Sequence, residues 1–390
     1  RRRHSFPTRR SSDLMKKPFY QLEQMQDIVR QFTPNWFTAS MGTGVVALIL
    51  AELPFAHSMM AQLGASLWQL NILLFMSFCL LYGLRWLIYP TEAKQIFSHA
   101  SMSLFLGAIP MALATIINGL LKFGISLYGD GVIQLAQMLW YVDVLLAVAI
   151  AWLVPFCMFS RQEHQLHSMT AVWLLPIVAC EVAATSGGLL LPHIAEGQQA
   201  VGILVGSYVL WGISVLPAFA ILTILMLRLA LHQLPSKELA ITSWLALGPI
   251  ATGALALLVL GAQAPQVLAT VDMQSLGVFC QQAGIMASML LLGFAVWWLG
   301  IAVLTTLKHA KTDLPFNLGW WGLTFPLGVL TLAVLNLGQQ IHVSFIQSIA
   351  YVLAVILVML WLLVVSRTAQ GFYRGNLFFS PCLKSYLEQR

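Results

Sequence analysis

Residues 319–334 read GWWGLTFPLGVLTLAV, an uncharged apolar run with Pro326 in its interior. Three more apolar segments carry a proline at about the same depth: LGAIP ending at Pro110, WLLP at Pro176 and LGPI with Pro249. In the first apolar segment the pair Gly42 and Gly44, in MGTG, takes that place. Proline removes a helix hydrogen bond and clashes with the carbonyl four residues back, so a membrane helix keeps it only where packing or a cavity compensates. Aligned on Gly42, Pro110, Pro176, Pro249 and Pro326, the breaks lie 68, 66, 73 and 77 residues apart, each interval one helical hairpin. Helices interrupted at such regular intervals suggest a pore.

Mean hydropathy is +0.82, with 59% hydrophobic and 9% charged residues. That apolar excess identifies an integral membrane protein of the all-α class. At about 20 apolar residues per crossing, ten spans fall near Asn35–Leu53, Trp68–Tyr89, Ala100–Leu121, Gln134–Phe159, Thr170–Leu191, Val201–Leu231, Ile241–Gly261, Leu276–Leu307, Gly319–Leu337 and Phe345–Val365. All breaks fall in odd spans, which run parallel to one another. Five odd helices lining a central pore and five even helices outside are expected, because broken helices must face a cavity. Pro155 and Pro217, in even spans, depart from this separation.

With the start at Met15 taken as inside, fourteen Lys and Arg fall on the cytoplasmic side and only Lys122 on the other. This asymmetry orients both termini to the cytoplasm. Residues 1–14, RRRHSFPTRRSSDL, are expected to be a non-native leader resembling translated sequencing adaptor. The remaining divisions are a cytoplasmic segment 15–34, a transport domain 35–366 and a cytoplasmic tail 367–390. Without the leader the charge balance is nearly even, 15 Lys and Arg against 13 Asp and Glu, so nucleic acid is not an expected partner. The five cysteines are scattered without disulfide or zinc spacing, the histidines form no haem or metal set, and no cofactor motif appears.

A helix restarted at a break offers a partly free N-terminus, where backbone N–H groups and the dipole favour anions. The anion path is therefore assigned to Gly42, Thr43, Gly44, Pro110, Thr115, Pro176, Pro249, Gly253, Pro326 and Thr331. Threonine back-bonding to its own helix is the alternative for Thr43, Thr115 and Thr331. Phe325, immediately before Pro326, could occlude the axis or simply pack. Intramembrane acids are functional candidates by default. Glu181, five residues beyond Pro176, could carry a coupled proton, or be a carboxyl linking helices. Asp143, in WYVDVLL on an even span, faces the same choice, with the structural role favoured.

The first span, FTPNWFTASMGTGVVALIL, and the ninth, FNLGWWGLTFPLGVLTLAV, resemble the tellurite-resistance/dicarboxylate transporter family, as do WLLPIVACEVAATSGG and WYVDVLLA. That family includes fungal malate permeases, fungal sulfite pumps and plant slow anion channels. The resemblance implies ten helices with an inner ring of five, a homotrimer as in bacterial members, and a phenylalanine gate on the ninth helix, placed at Phe325. The expected function is transport of a small anion, C4-dicarboxylates such as malate leading, across a bacterial inner membrane. Sulfite efflux is the alternative within transport. A membrane enzyme or sensor is a remote alternative, because the chain offers neither a cofactor ligand set nor a soluble domain.

Overall fold

The computed structural model describes residues 18–388 except 23, 56, 312 and 313; the leader-like residues 1–14 lie outside them. Long uncharged runs can satisfy their backbone in hydrocarbon only by folding into helices. The described residues accordingly contain no strand. The principal helices are α1 (Phe37–Leu50), α2 (His57–Ile88), α3 (Ser103–Tyr128), α4 (Gly131–Ser160), α5 (Ala171–His193), α6 (Gln198–His232), α7 (Ala240–Ala269), α8 (Gln274–Ala310), α9 (Leu318–Gln340) and α10 (Ser344–Arg374). Among the described residues, nine, α2 to α10, are long and apolar enough to cross a membrane. The α1 helix has 14 residues, led by the single 3-10 turn Pro34–Trp36.

The odd helices close into a ring. The packing runs α1 on α3, α3 on α5, α5 on α7, α7 on α9, and α9 back on α1. Each even helix lies against the odd helices before and after it, with α10 reaching back to α1. Along their most apolar stretches α3, α5, α7 and α9 are 78–94% buried, whereas the even helices are 22–33% buried. The exposed faces of the even helices are apolar, as lipid contact requires.

The breaks take a form different from the expected mid-helix kink. Each of α3, α5, α7 and α9 begins as a 3-10 segment (Ser103–Gly107, Ala171–Leu174, Ala240–Ala246, Leu318–Leu323) and becomes α-helical at Ala108, Leu175, Leu247 or Phe325. Pro110, Pro176, Pro249 and Pro326 therefore occupy the first turn of an α segment, where a missing N–H costs nothing. Gly42 and Gly44 break nothing and sit inside continuous α1, because glycine keeps its N–H. Their role is close approach: a Cβ on Gly42 would run into Trp321 and Thr324, and one on Gly44 into Thr115 and Asn71.

Indole N–H groups fasten the outer layer to the ring. Trp68 donates to the Ile116 carbonyl at 3.2 Å, Trp140 to Ala183 at 2.8 Å and Trp211 to Gly253 at 3.0 Å, each from an even helix to the next odd one. The break-side tryptophans reciprocate, Trp244 bonding Thr306 at 2.9 Å and Trp321 bonding Thr368 at 3.1 Å. Such interhelical bonds contribute about 0.6 kcal/mol each in a bilayer, so their effect is register as much as stability. On the break side, buried Arg85 donates to the Phe32 carbonyl, to Ser380 Oγ at 3.1 Å and to Cys382 Sγ at 3.5 Å. It thereby pins the chain before α1 and the short helix Pro381–Glu388 to the end of α2.

Replacing Gly44 by valine should push α1 away from α3 at Thr115, at a cost of about 1–3 kcal/mol. Thermal unfolding in detergent should show a lowered midpoint; an unchanged midpoint would mean that this contact does not set the ring spacing.

Candidate anion pathway

Where the odd helices end, away from the breaks, they enclose a cavity of about 250 Å³. Every inner helix contributes to its wall. The α1 strip supplies Leu48, with Glu52 just beyond; α3 supplies Asn118 and Lys122; α5 supplies Thr185, Leu189 and His193; α7 supplies Leu255 and Val259; and α9 supplies Leu332, Asn336 and Gln339. Among the described lining residues Lys122 is the one lysine or arginine. Its Nζ lies 2.5 Å from Glu52 Oε1, and both side chains are partly exposed.

Lys122 belongs to a π-helical turn, Leu120–Gly124, within α3. Such turns frequently mark functional sites. The amide of Asn336 accepts from Gln340 at 3.0 Å, and Asn118 Oδ1 is buried with no protein partner. An anion in this cavity would meet one ammonium group and side-chain amides on a largely apolar wall, with the Glu52 carboxylate competing for the ammonium. That is a weak site, as passage requires.

Seven residues before one lining position on each helix, close to two α-turns and about 10 Å along the axis, lies a residue on the same face. Counting back from Leu48, Asn118, Thr185, Leu255 and Leu332 gives Met41, Met111, Val178, Gly248 and Phe325. Each count stays inside one α segment. All five are buried, Phe325 at 3% exposure and Met41 and Met111 at 1%. The axis is thus closed at the level of the breaks by an apolar constriction, of the kind that blocks ions by excluding water.

The other residues assigned to the path from sequence lie elsewhere. Thr43 accepts from Trp361 Nε1 of α10 at 3.2 Å, on the outer side of α1. Thr115 Oγ1 bonds the Ala112 carbonyl at 2.8 Å and accepts from Asn71 of α2 at 3.2 Å. Thr331 back-bonds to Leu327 at 2.8 Å. Gly253 faces Val215 of α6 and Leu291 of α8. Thr43, Thr115 and Gly253 meet neighbouring helices, Thr331 bonds its own, and none of the four lines the cavity. Glu181 is fully buried, with Oε2 beside Gly253, where α5 meets α7; Asp143 is fully buried on α4. Neither carboxylate oxygen of Asp143 has a hydrogen-bond partner in the protein, whereas the Ser214 hydroxyl of α6 lies against the Glu181 carboxyl. Asn118, Asn336 and Gln339 were missed from sequence, and the signal that could have found them is polar residues recurring about two to four turns beyond the breaks.

A closed ring of helices around an apolar throat and a cavity bearing one lysine–carboxylate pair and side-chain amides defines a membrane protein that passes small charged solutes. The chain belongs to the voltage-dependent anion channel family, which it matches over residues 31–369. Two sulfite efflux pumps, of Arthroderma benhamiae and Trichophyton rubrum, are each 32% identical to it over 352 residues, 90% of this chain and 93% of theirs. The malic acid transport protein of Schizosaccharomyces pombe is 25% identical over 381 residues, 94% of this chain and 83% of its own. The protein is therefore a multi-pass anion transporter or channel, and its family and relatives are transport proteins. These named relatives are fungal and point to eukaryotic membranes, which overturns the expectation of a bacterial inner membrane.

Replacing Lys122 by glutamine should weaken anion binding by about 1 kcal/mol, a roughly fivefold rise in half-saturating concentration, and Glu52→Gln should strengthen it by a similar factor. Concentration dependence of uptake into proteoliposomes reads both; equal values for the two variants would remove this pair from anion capture.

Proposed function

We propose that this protein exports sulfite, or another inorganic anion of that size. The observation that carries this reading is the greater identity to sulfite pumps, 32% against 25% for the malic acid transporter, at comparable coverage of this chain. The cavity agrees in kind. One lysine, already paired with a carboxylate, suits a single compact anionic centre, whereas a four-carbon dicarboxylate calls for two separated donor clusters.

In this reading a hydrated anion gathers at Lys122 and the neighbouring amides, then crosses the throat formed by Met41, Met111, Val178, Gly248 and Phe325. Beyond the throat, the α segments starting at Phe37, Ala108, Leu175, Leu247 and Phe325 turn their N-terminal ends toward the break side, favouring negative charge. Phe325, the largest of the throat residues, is the gate. The α1 helix with its 3-10 lead, about 27 Å long, crosses as well and makes ten spans. The assembly is a homotrimer, as the family resemblance implies, and Glu181 carries a coupled proton because its carboxyl is fully buried with no basic side chain among the described residues paired to it.

Proteoliposomes loaded with labelled sulfite and exposed to sulfite, malate, succinate or chloride test the substrate. Sulfite should drive counterflow and malate should not; the reverse order would restore the dicarboxylate reading. Phe325→Ala should raise flux by about tenfold, equivalent to a barrier lower by about 1.4 kcal/mol, and unchanged flux would exclude this ring as the gate. Glu181→Gln should alter the pH profile of transport; an identical profile would leave that carboxyl a structural role only.

A further inference from the structure

The throat contains one position where packing stops. Gly248 is buried, yet a Cβ built on it would meet no heavy atom within 4 Å. Every other buried glycine among the described residues has at least one such neighbour. Protein interiors are close-packed, and an unfilled space forfeits dispersion contacts along its whole lining. Gly248 therefore leaves unfilled space at the level of the α-helical restarts, the level that also carries Phe325 on the adjacent α9.

The surroundings of Phe325 give the hollow a direction. On the α1 side of α9 the space is filled: Trp321 and Thr324 occupy the place a side chain on Gly42 would need, and Val45 fills the place in front of Gly328. On the other flank α9 packs against α7, the helix that carries Gly248 at the same level. A phenylalanine ring leaving the axis by a change of staggered rotamer meets packed side chains toward α1 and open space toward α7.

We propose that Gly248 is the receiving site for the gate: in the conducting state the Phe325 ring swings toward α7 and lodges in the hollow in front of Gly248. The absence of a side chain at residue 248 then sets how often the throat opens. This inference rests on the reading of Phe325 as the gate, and it adds a partner residue on a different helix.

Because a side chain at residue 248 faces the axis, it could also obstruct the ion directly, so the test is a double-mutant cycle. Sulfite and chloride flux would be measured in proteoliposomes for the natural protein, Gly248→Val, Phe325→Ala and the double variant, with thermal unfolding in detergent confirming equal folding. Gly248→Val alone should lower flux by about tenfold, whereas in the Phe325→Ala background it should change flux by less than about twofold. An equal reduction in both backgrounds would show direct obstruction and overturn the inference while leaving the gate in place. No reduction in either background would also overturn it. Unchanged flux in Phe325→Ala would instead remove the gate on which the inference depends. Should valine impair folding, Gly248→Ala, whose methyl group meets nothing in the closed structure, gives the same cycle with a smaller effect, and full additivity there would overturn the proposal.

Discussion

Inside hydrocarbon no backbone amide can go unpaired without a cost of several kcal/mol, and that constraint places every break in this ring. Four inner helices solve it identically: a 3-10 lead carries the chain inward, and the α segment restarts with proline in its first turn. Since the first turn has no i−4 carbonyl to bond, proline is neutral there and pre-set for helical geometry. The restarts then lie at matching levels, and the residues facing the axis at that level come from matching positions.

The throat follows from this alignment. Met41, Met111, Val178, Gly248 and Phe325 stand two turns before cavity-lining residues on their own helices, so the narrow level and the wider, partly polar cavity are successive layers of one barrel of helices. Close approach of the helices depends on small residues in the seams: Gly44 against Thr115, Gly107 against the backbone at Leu175, Gly328 against Val45. Outer helices hold the ring through indole-to-carbonyl bonds. In the proposed path the described wall carries no arginine: Lys122, paired with Glu52, stands with the amides of Asn118, Asn336 and Gln339, a set of weak rather than trapping contacts.

The class of the protein, the alternation of inner and outer helices, and membership of an anion-transport family were legible from apolar runs, proline spacing and the quoted motifs. The site was legible only in part. Phe325 was singled out because it adjoins Pro326 and by the family resemblance, and its place as a gate is a proposal. Thr115 and Thr331 were expected on the path and Glu181 as a proton carrier, but Thr115 meets Gly44, Glu181 meets Gly253 and Thr331 bonds back to its own helix. At 100° per residue the face of a helix cannot be assigned without knowing where the axis stands. The preference for malate over sulfite had the same weakness, since no single-sequence pattern counts the cations around a cavity.

By itself the amino-acid sequence determined that the chain spans a membrane repeatedly, that the four proline-bearing odd segments are interrupted, and which level those interruptions share, because hydropathy and proline chemistry are local properties. Tertiary structure alone decided that the ring closes from α9 back to α1, that Lys122 meets Glu52 across 70 positions of chain, and that no side chain packs in front of Gly248. Those are matters of distance between residues remote in sequence, and only packed helices bring them within reach of one another.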